Sequence, residues 1–220
     1  MTQQERQARS RQAILHAALE EFGEHGYDGV NMERICGNHG ISKGMMYHYY
    51  SSKDELFLAC VSEVFQNLHR FLRAHMNETL SAPASEAVKR YFLLREDFFQ
   101  CRPREKRLFE TAILYPPAHL AGQIQELRTP IREENDIFIR RLLSRMTLRS
   151  DLDMEQAARY LNSIYAAFWP LLEQYQANHA RELHSMLKGS GELLDMVLFG
   201  IAEPSGAGKE EEEVSERRKT

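Results

Sequence analysis

Side chains that suit contact with phosphate groups are concentrated in residues 31–56. Ser42 precedes a short helical segment, Lys43–Tyr50, whose unpaired first-turn amides would attract an anion. Within that segment Tyr47 and His48 can donate hydrogen bonds to phosphate oxygens. Contacts of this kind fix the position of a protein on a nucleic-acid backbone, so this segment is predicted to lie along a DNA duplex.

Other residues of the same stretch fit the same chemistry. Asn31 is a predicted helix N-cap, Gly44 allows a close approach of backbone and DNA, and Lys53 adds a positive charge. Met45 offers apolar contact, for example to a thymine methyl group, and little hydrogen bonding. The predicted DNA-binding residues are Asn31, Ser42, Lys43, Gly44, Met45, Tyr47, His48 and Lys53.

Short helices with apolar inner faces must hold these side chains in place. Ile35 is predicted to point inward from a brief helix that ends near Gly40, which supplies a tight turn. Ser42 caps the next helix, in which Met46 and Tyr50 have the i, i+4 spacing of a buried face. Two helices joined by a short glycine-containing turn form a helix-turn-helix.

Helices on both sides complete the predicted arrangement. Upstream, the apolar residues within Ile14–Phe22 follow a helical stripe, and Gly26 follows in the position that a left-handed helix end favours. Downstream, Ser52 and Glu55 have the Ser-x-x-Glu spacing of a capping box, which predicts the start of a long helix at Lys53. The sequence therefore predicts a small DNA-binding domain joined to a long fourth helix.

Residues 10–65 resemble the TetR/AcrR family of bacterial transcriptional regulators. The resemblance is carried by the run Ile-Cys-Gly-Asn-His-Gly-Ile-Ser-Lys-Gly-Met-Met-Tyr-His-Tyr-Tyr at residues 35–50, and by the Lys-Asp-Glu-Leu at residues 53–56. It implies a dimeric, one-component repressor that binds a palindromic double-stranded DNA operator. It also implies that a small-molecule effector releases the protein from this operator.

The sequence departs from the usual family pattern at four positions. Cys36 and His39 replace alanines and Tyr50 replaces a phenylalanine, and the changes at Cys36 and Tyr50 are expected to be tolerated in a core. Cys36 and His39 have the spacing of half a metal site, but no second pair is evident, so packing is the favoured interpretation. Met45 replaces a small, often hydroxylated residue, which leaves the base preference open.

Helical spacing continues through most of the remaining chain, and strand-like alternation is almost absent. Predicted helical stretches cover residues 53–77, 84–100, 104–114, 118–146, 154–178 and 181–201, two of them bent or split by Pro130 and Pro170. The predicted fold is all-α, with an N-terminal three-helix helix-turn-helix domain and a larger helical ligand-binding and dimerisation domain. The predicted boundaries are a flexible arm at 1–9, the DNA-binding domain at 10–56, the larger domain at 57–201 and a disordered charged tail at 202–220.

The larger domain carries many aromatic side chains. Most are expected to fill a helical core, and a few to line a ligand cavity between helices. The predicted ligand-binding residues are Phe98, Phe109, Tyr165 and Trp169. The family resemblance, together with apolar stripes, places the dimer interface in the two C-terminal helices. The predicted interface residues are Leu161, Ile164, Phe168, Leu193, Leu194, Val197, Leu198 and Ile201.

Composition limits the class of protein. The net charge is −4, and through residue 60 six basic residues face eight acidic ones, so DNA binding would depend on where the charges lie. Three scattered cysteines and the lack of a signal peptide or membrane span predict a cytoplasmic protein without a membrane partner. No P-loop, nucleophile elbow or dinucleotide fingerprint is evident, so neither enzyme activity nor a cofactor or metal is predicted.

Two other interpretations stay open at this point. A helix-turn-helix protein could respond to a protein partner or to cysteine oxidation, and Cys101, beside Arg102 and Arg104, is the candidate thiol. An all-α enzyme could carry the motif by accident, although no catalytic constellation is visible. Binding of duplex DNA with a steep salt dependence separates both DNA-binding interpretations from the enzyme.

Overall fold

A computed structural model describes residues 2–164 and 200–201 of the protein. Its first helices are α1 (Gln3–His25), α2 (Met32–His39), α3 (Lys43–Tyr49) and α4 (Lys53–Ser81). They are followed by α5 (Ala84–Phe99), α6 (Pro103–Leu114), a 3-10 helix (Ala118–Leu120), α7 (Ala121–Leu127) and α8 (Thr129–Leu143), and residues 154–164 are also helical. The fold is all-α, as predicted. No helix among the described residues is long and apolar enough to cross a membrane.

The chain divides into two compact units. The first contains the residues up to 75 together with residues 92–134, and therefore all of α1, α2, α3, α6 and α7. The second contains, of the residues described, 76–91, 135–164 and 200–201. Helices α4, α5 and α8 contribute residues to both units.

An aromatic and aliphatic core holds the first unit together. Phe22 of α1 meets Phe57 of α4 edge to face, with ring centroids 5.1 Å apart, and Ile14 is fully buried. Helix α1 also packs closely on α6. A Cβ atom added at Gly23 would lie 2.7 Å from the backbone oxygen of Arg104, so a glycine is required at this crossing.

The turn between α2 and α3 has the predicted chemistry. Gly40 adopts the left-handed conformation, with φ 64° and ψ 28°. Asn31 Oδ1 accepts a hydrogen bond from the Arg34 backbone N–H at 2.8 Å, and Ser42 Oγ accepts one from Met45 N–H at 3.2 Å. The two predicted N-caps and the glycine turn are therefore confirmed.

The N-terminus differs from the predicted flexible arm at residues 1–9, because α1 begins within it. Thr2 and Glu5 form a capping box, in which Thr2 Oγ1 accepts from the Glu5 N–H at 3.2 Å and the Glu5 carboxylate accepts from the Thr2 N–H at 2.7 Å. Arg6 and Arg9 consequently lie on the first turns of a helix. The spacing of Thr2 and Glu5 was the signal in the sequence that could have indicated this cap.

The helical stretch predicted at 118–146 is divided into three elements. The break between α7 and α8 lies beside Pro130, as predicted, because proline lacks the N–H that would continue a helix.

Gly26 ends α1 with a positive φ of 68°, but its ψ of −179° is extended rather than left-handed helical. The position of this helix end was predicted correctly, and its conformation was not.

Helix α4 continues to Ser81, four residues beyond its predicted end at Asn77. Arg145, which follows α8, donates hydrogen bonds to the carbonyl oxygens of Leu80 and Ala82, the latter at 2.9 Å. The last carbonyl groups of a helix have no partner within the helix, so a cation there stabilises the extension.

We expect Gly23→Ala to lower the free energy of unfolding by about 1–3 kcal/mol, because the new methyl group meets backbone that cannot turn aside. Gly37→Ala is the matched control, since Gly37 lies in α2 with open space around its Cβ position. It should raise the free energy of unfolding by up to about 1 kcal/mol through helix propensity alone. Opposite signs in urea denaturation are expected; effects of the same sign would contradict the close crossing of α1 and α6.

Candidate nucleic-acid interface

Helix α3 is held to the first unit by its apolar side. Met46 is fully buried and Tyr50, which directly follows the helix, is 2% exposed. Ile35 of α2 and Ile41 of the connecting turn are buried as well. Burial of a large apolar side chain contributes about 1.5–3 kcal/mol, so these contacts strongly favour one orientation of α3.

The rest of α3 is open to solvent. Tyr47 is 51% exposed, and Lys43, Gly44 and His48 are also exposed. A Cβ atom at Gly44 would meet nothing within 4 Å. Met45 is partly buried. The predicted DNA-binding residues of α3 are therefore brought together on its accessible surface.

Lys43 is paired with a carboxylate of the neighbouring helix. Its Nζ lies 2.5 Å from Glu33 Oε1 of α2, and both side chains are exposed. The hydrogen bond between them raises the pKa of Lys43 and lowers the pKa of Glu33. A phosphate that binds Lys43 would therefore compete with Glu33 for the ammonium group, which the sequence alone did not indicate.

The start of α4 is capped differently from the prediction. Ser52 Oγ accepts from the Glu55 backbone N–H at 3.1 Å, which confirms one half of the capping box. The Glu55 carboxylate, however, accepts from the N–H and the hydroxyl of Ser51, at 2.7 and 2.8 Å, rather than from Ser52. These bonds lower the pKa of Glu55. The donors of Ser51, which precede α4, are consequently bound by the protein's own carboxylate.

The sequence predicted that Lys53 contacts DNA. In the structure its side chain is engaged within the protein instead. Its Nζ lies 3.9 Å from the centre of the Tyr27 ring and donates to the Tyr27 carbonyl oxygen at 3.1 Å. A cation over an aromatic ring is attracted by the electron-rich face. Lys53 thus acts in the structure as a positioning residue that ties α4 to the segment after α1.

Arg11 connects α1 to the end of α3. Its Nε donates to the Tyr50 hydroxyl at 3.2 Å, and its guanidinium lies 5.9 Å from the centre of the Tyr50 ring. Burial raises the pKa of Tyr50, so the hydroxyl stays protonated. The tyrosine that replaces the usual phenylalanine therefore has a specific partner, and its extra hydroxyl was the signal available in the sequence.

Glu21 is a buried polar centre between α1 and α2. Its carboxylate accepts from Arg34 Nε and Asn38 Nδ2, each at 2.7 Å, and His39 Nε2 lies 3.2 Å away. Burial alone would raise the pKa of Glu21, but the hydrogen bonds outweigh it and lower the pKa.

Cys36 is buried, and His39 contacts a carboxylate, which fits the packing interpretation of this pair.

A second polar cluster fixes the first turn of α4. The Tyr27 hydroxyl donates to Asp54 Oδ1, and Nε2 of His119, on the 3-10 helix, lies 3.1 Å from Asp54 Oδ2. Burial and the carboxylate raise the pKa of Tyr27 to about 12, and the hydrogen bond from Tyr27 lowers the pKa of Asp54. Tyr27, Asp54 and His119 are here called the α4 clamp. Tyr27 and His119 also line a cleft of about 520 Å³ that reaches Tyr115 and Pro116.

The two described ligand candidates lie in a packed aromatic cluster. Phe98 contacts Phe71 and Phe99, with ring centroids 5.4 and 4.9 Å apart. Phe109 contacts Phe65 and Phe99, at 5.7 and 5.1 Å. This packing fits a core role, and a role in lining a ligand cavity stays a prediction.

The predicted dimer interface is described only in part. Leu161 and Ile201 are each 3% exposed within the single chain, so they offer little surface to a partner, in contrast to the prediction. Ile164 is partly buried. The other predicted interface and ligand residues lie outside the described part of the chain: Tyr165, Phe168, Trp169, Leu193, Leu194, Val197 and Leu198.

The cysteines differ in accessibility. Cys36 and Cys60 are buried, and burial raises the pKa of Cys60, whereas Cys101 is exposed. A thiolate, rather than a thiol, is the reactive form. The alternative of control by oxidation therefore rests on Cys101.

Residues 14–60 match the family described as "Bacterial regulatory proteins, tetR family". Residues 84–193, half of the chain, match the one described as "Tetracyclin repressor-like, C-terminal domain". The chain therefore belongs to the TetR family of bacterial transcriptional regulators.

Several characterised and uncharacterised regulators are similar in sequence. The HTH-type transcriptional repressor AcnR of Corynebacterium efficiens is 25% identical over 89% of this chain and 94% of its own length. RutR, an HTH-type transcriptional regulator of Escherichia coli, is 31% identical over 45% of each protein. YezE, an uncharacterised HTH-type regulator of Bacillus subtilis, is 35% identical over 36% of this chain and 40% of its own length. The chain thus spans less than half of the latter two relatives.

Solved structures share the fold. The fatty acid degradation regulator FadR of Bacillus halodurans has a TM-score of 0.66 at 18% identity, over 83% of this chain and 93% of its own. SmeT of Stenotrophomonas maltophilia, described as the repressor of the multidrug efflux pump SmeDEF, has a TM-score of 0.60 at 20% identity, over 89% and 91%. At this identity the likeness concerns the fold.

We expect Glu21→Gln to lower the free energy of unfolding by about 1–3 kcal/mol at neutral pH, because Arg34 loses a charged, buried partner. Since the pKa of Glu21 is lower in the folded state, its contribution is present above the ordinary carboxyl pKa and is lost as the pH falls through the folded value. The difference between wild type and variant in urea denaturation should therefore shrink from about pH 6 to about pH 3.

Glu86→Gln provides the matched control. Glu86 forms an exposed i, i+4 ion pair with Arg90, and such pairs contribute about 0.5 kcal/mol or less. A loss of stability in Glu21→Gln that stays constant across this pH range would contradict the depressed pKa.

Proposed function

We propose that the protein is a dimeric transcriptional repressor that binds a palindromic DNA operator and is released from it by a small-molecule effector. The observation that carries the DNA-binding part is the accessible surface of α3. Buried Met46 and Tyr50 hold the helix from behind, and Lys43, Tyr47 and His48 are exposed in front. A short helix presented in this way fits the major groove of a duplex.

The capping residues keep donors for phosphate. Asn31 uses its Oδ1 for Arg34, which leaves its amide NH2 as a donor, and Ser42 uses an oxygen lone pair for Met45, which leaves its hydroxyl proton. Both side chains are exposed beside α3. We therefore keep them in the proposed contact set with Lys43, Gly44, Met45, Tyr47 and His48, and assign Lys53 a positioning role.

The dimer is proposed from the family, and the role as a repressor from the relatives. AcnR, similar over nearly its whole length, carries the name of a repressor, and SmeT is described as one. A twofold dimer would place two α3 helices in successive major grooves, which requires a palindromic operator. Interface residues are proposed on the C-terminal helices, with Leu161 and Ile201 excluded as core residues of the single chain.

The α4 clamp offers a route from effector to DNA. Only three residues separate the end of α3 from the start of α4, so a displacement of the first turn of α4 displaces α3. Asp54 of that turn is bound by Tyr27 and by His119 on the 3-10 helix after α6. An effector that favours another position of the 3-10 helix would therefore favour an orientation of α3 that no longer fits the operator.

A pair of charge-removing variants tests the DNA-binding surface. Lys43→Gln should weaken binding to duplex DNA several-fold, and should reduce the slope of log affinity against log salt by about one per half-site. Glu33→Gln should instead strengthen binding and increase the slope, because it removes the carboxylate that competes with phosphate for Lys43. Fluorescence anisotropy with duplexes from the region upstream of the protein's own gene measures both.

Arg90→Gln is the control for charge, since Arg90 is exposed on α5 and paired with Glu86. It should leave affinity and slope unchanged. Wild-type protein that binds no duplex at low ionic strength, or a Glu33→Gln variant that weakens binding, would contradict the proposed surface.

The clamp is tested by His119→Ala. Without the contact to Asp54, the first turn of α4 should open more often, so the amides of Glu55 and Leu56 should exchange hydrogen faster than in wild type. His119→Gln, whose side-chain amide can still donate, should retain much of the protection. Unchanged exchange at these amides in His119→Ala would show that the contact does not hold α4.

A further inference from the structure

The cleft beside the α4 clamp lies where α1 and α6 end. Gly26 ends α1 with a positive φ, and Pro116 and Pro117 follow the end of α6, where neither has the N–H that would continue a helix. Its volume of about 520 Å³ is that of a site for a small organic molecule. None of its described lining residues belongs to the aromatic cluster of Phe98 and Phe109 or to the DNA-binding surface of α3.

The hydroxyl groups of two lining residues have already donated their protons within the protein. The Tyr27 hydroxyl donates to Asp54 Oδ1, and Thr111 Oγ1 donates to the Arg107 carbonyl oxygen at 2.9 Å. A hydroxyl that donates to the protein keeps lone pairs and accepts from a ligand. Both oxygens therefore suit a ligand that carries N–H donors.

The two histidines of the cleft have different hydrogen-bonding roles. His119 Nε2 lies 3.1 Å from Asp54 Oδ2, and an ionised carboxylate only accepts, so Nε2 carries a proton and Nδ1 of the neutral ring is an acceptor. His25 Nε2 lies 2.5 Å from Arg34 Nη2, and a guanidinium only donates, so His25 carries its proton on Nδ1. His119 thus adds a third acceptor, and His25 keeps a donor.

Asp28 gives the cleft a negative charge. Its side chain is exposed, and within the described part of the chain its carboxylate forms no hydrogen bond or ion pair. No lysine or arginine is among the described lining residues; Lys53, which lies over the Tyr27 ring, does not line the cleft. Tyr115, 69% exposed, and His119 contribute aromatic rings. A carboxylate beside electron-rich rings attracts a positively charged ligand.

We propose that this cleft binds a small organic cation, a protonated primary amine on an aromatic body. Asp28 pairs with the positive charge, and the Tyr27 and Thr111 oxygens accept its N–H groups. The ring of Tyr115 packs on the apolar body. Binding stands on the geometry of the cleft alone. Its effect on DNA rests on the effector-release part of the proposed function, because Tyr27 and His119 belong both to the cleft and to the α4 clamp.

Three probes with the same ring and similar length test the charge preference: phenethylamine, phenethyl alcohol and hydrocinnamate, which at neutral pH are cationic, neutral and anionic. Wild-type protein should bind the amine about fivefold or more tightly than the alcohol, and hydrocinnamate most weakly. In an NMR titration the amide signals of Gly26, Asp28 and His119 should shift. Equal affinity for amine and alcohol, or shifts confined to amides outside the cleft, would overturn the proposal.

Variants of the lining residues test the roles assigned to them. Asp28→Asn should lose most of the preference for the amine and keep the affinity for the alcohol, with an unchanged melting temperature because the carboxylate has no partner to lose. Glu86→Gln, with the same change in net charge outside the cleft, should behave like wild type. Tyr115→Leu should weaken the amine more than the alcohol, since leucine has no ring face for a cation. An Asp28→Asn variant that keeps the full preference would refute the site.

DNA binding separates this inference from the proposed function. At equal ionic strength, phenethylamine should lower the affinity of wild type for duplex DNA several-fold and leave that of Asp28→Asn unchanged. If wild type binds the amine through Asp28 but binds no duplex, the cation site stands and the proposed function fails. If duplex is bound and the amine is not preferred, the proposed function stands and the cation site fails. An amine that binds through Asp28 without changing DNA affinity would refute the role of this site in release.

Discussion

The fixed orientation of α3 is the constraint on which the rest of this structure depends. A helix of seven residues has little stability of its own, because nucleation costs more than so few hydrogen bonds return. Its position is set instead by burial of Met46 and Tyr50 and by the bond from Arg11 to the Tyr50 hydroxyl. Apolar burial supplies most of the free energy, and the hydrogen bond supplies direction. The rest of the chain can influence α3 through these contacts, through α2 and the turn that joins the two helices, or through the start of α4.

Polar groups at the edges of this domain restrict movement in different ways. Glu21 joins α2 to α1 through three partners and is shielded from solvent, so that link is strong and sensitive to loss of one member. The α4 clamp is more exposed at Asp54 and His119, and exposed pairs contribute little to stability. The first arrangement suits a permanent joint. The second suits a joint that opens at small cost, which is what release of DNA by an effector would require.

Local features of this chain were predictable from sequence, and distant ones were not. Gly40, Asn31 and Ser42 act on backbone within three or four residues, so their spacing was sufficient. The roles of Lys53, Glu21 and Arg11 depend on partners between 13 and 39 residues away. A side chain between two helices can reach several groups, and spacing along one helix does not select among them. Glu55 is the instructive intermediate case, since its motif predicted the cap but not the choice of Ser51 over Ser52.

The acidic balance of the DNA-binding region follows from the same contacts. Carboxylates of Glu20, Glu21 and Glu33 are bound to Arg104, Arg34 and Lys43, so much of the negative charge neutralises cations that the fold requires. Net charge therefore says little about DNA binding here, because paired charges cancel over short distances, and exposed donors on and beside α3 are the groups that would act on a phosphate. Glu33 limits even that attraction. Such a surface would bind DNA weakly without a matching sequence, and its dependence on the orientation of α3 would make release by a small displacement possible.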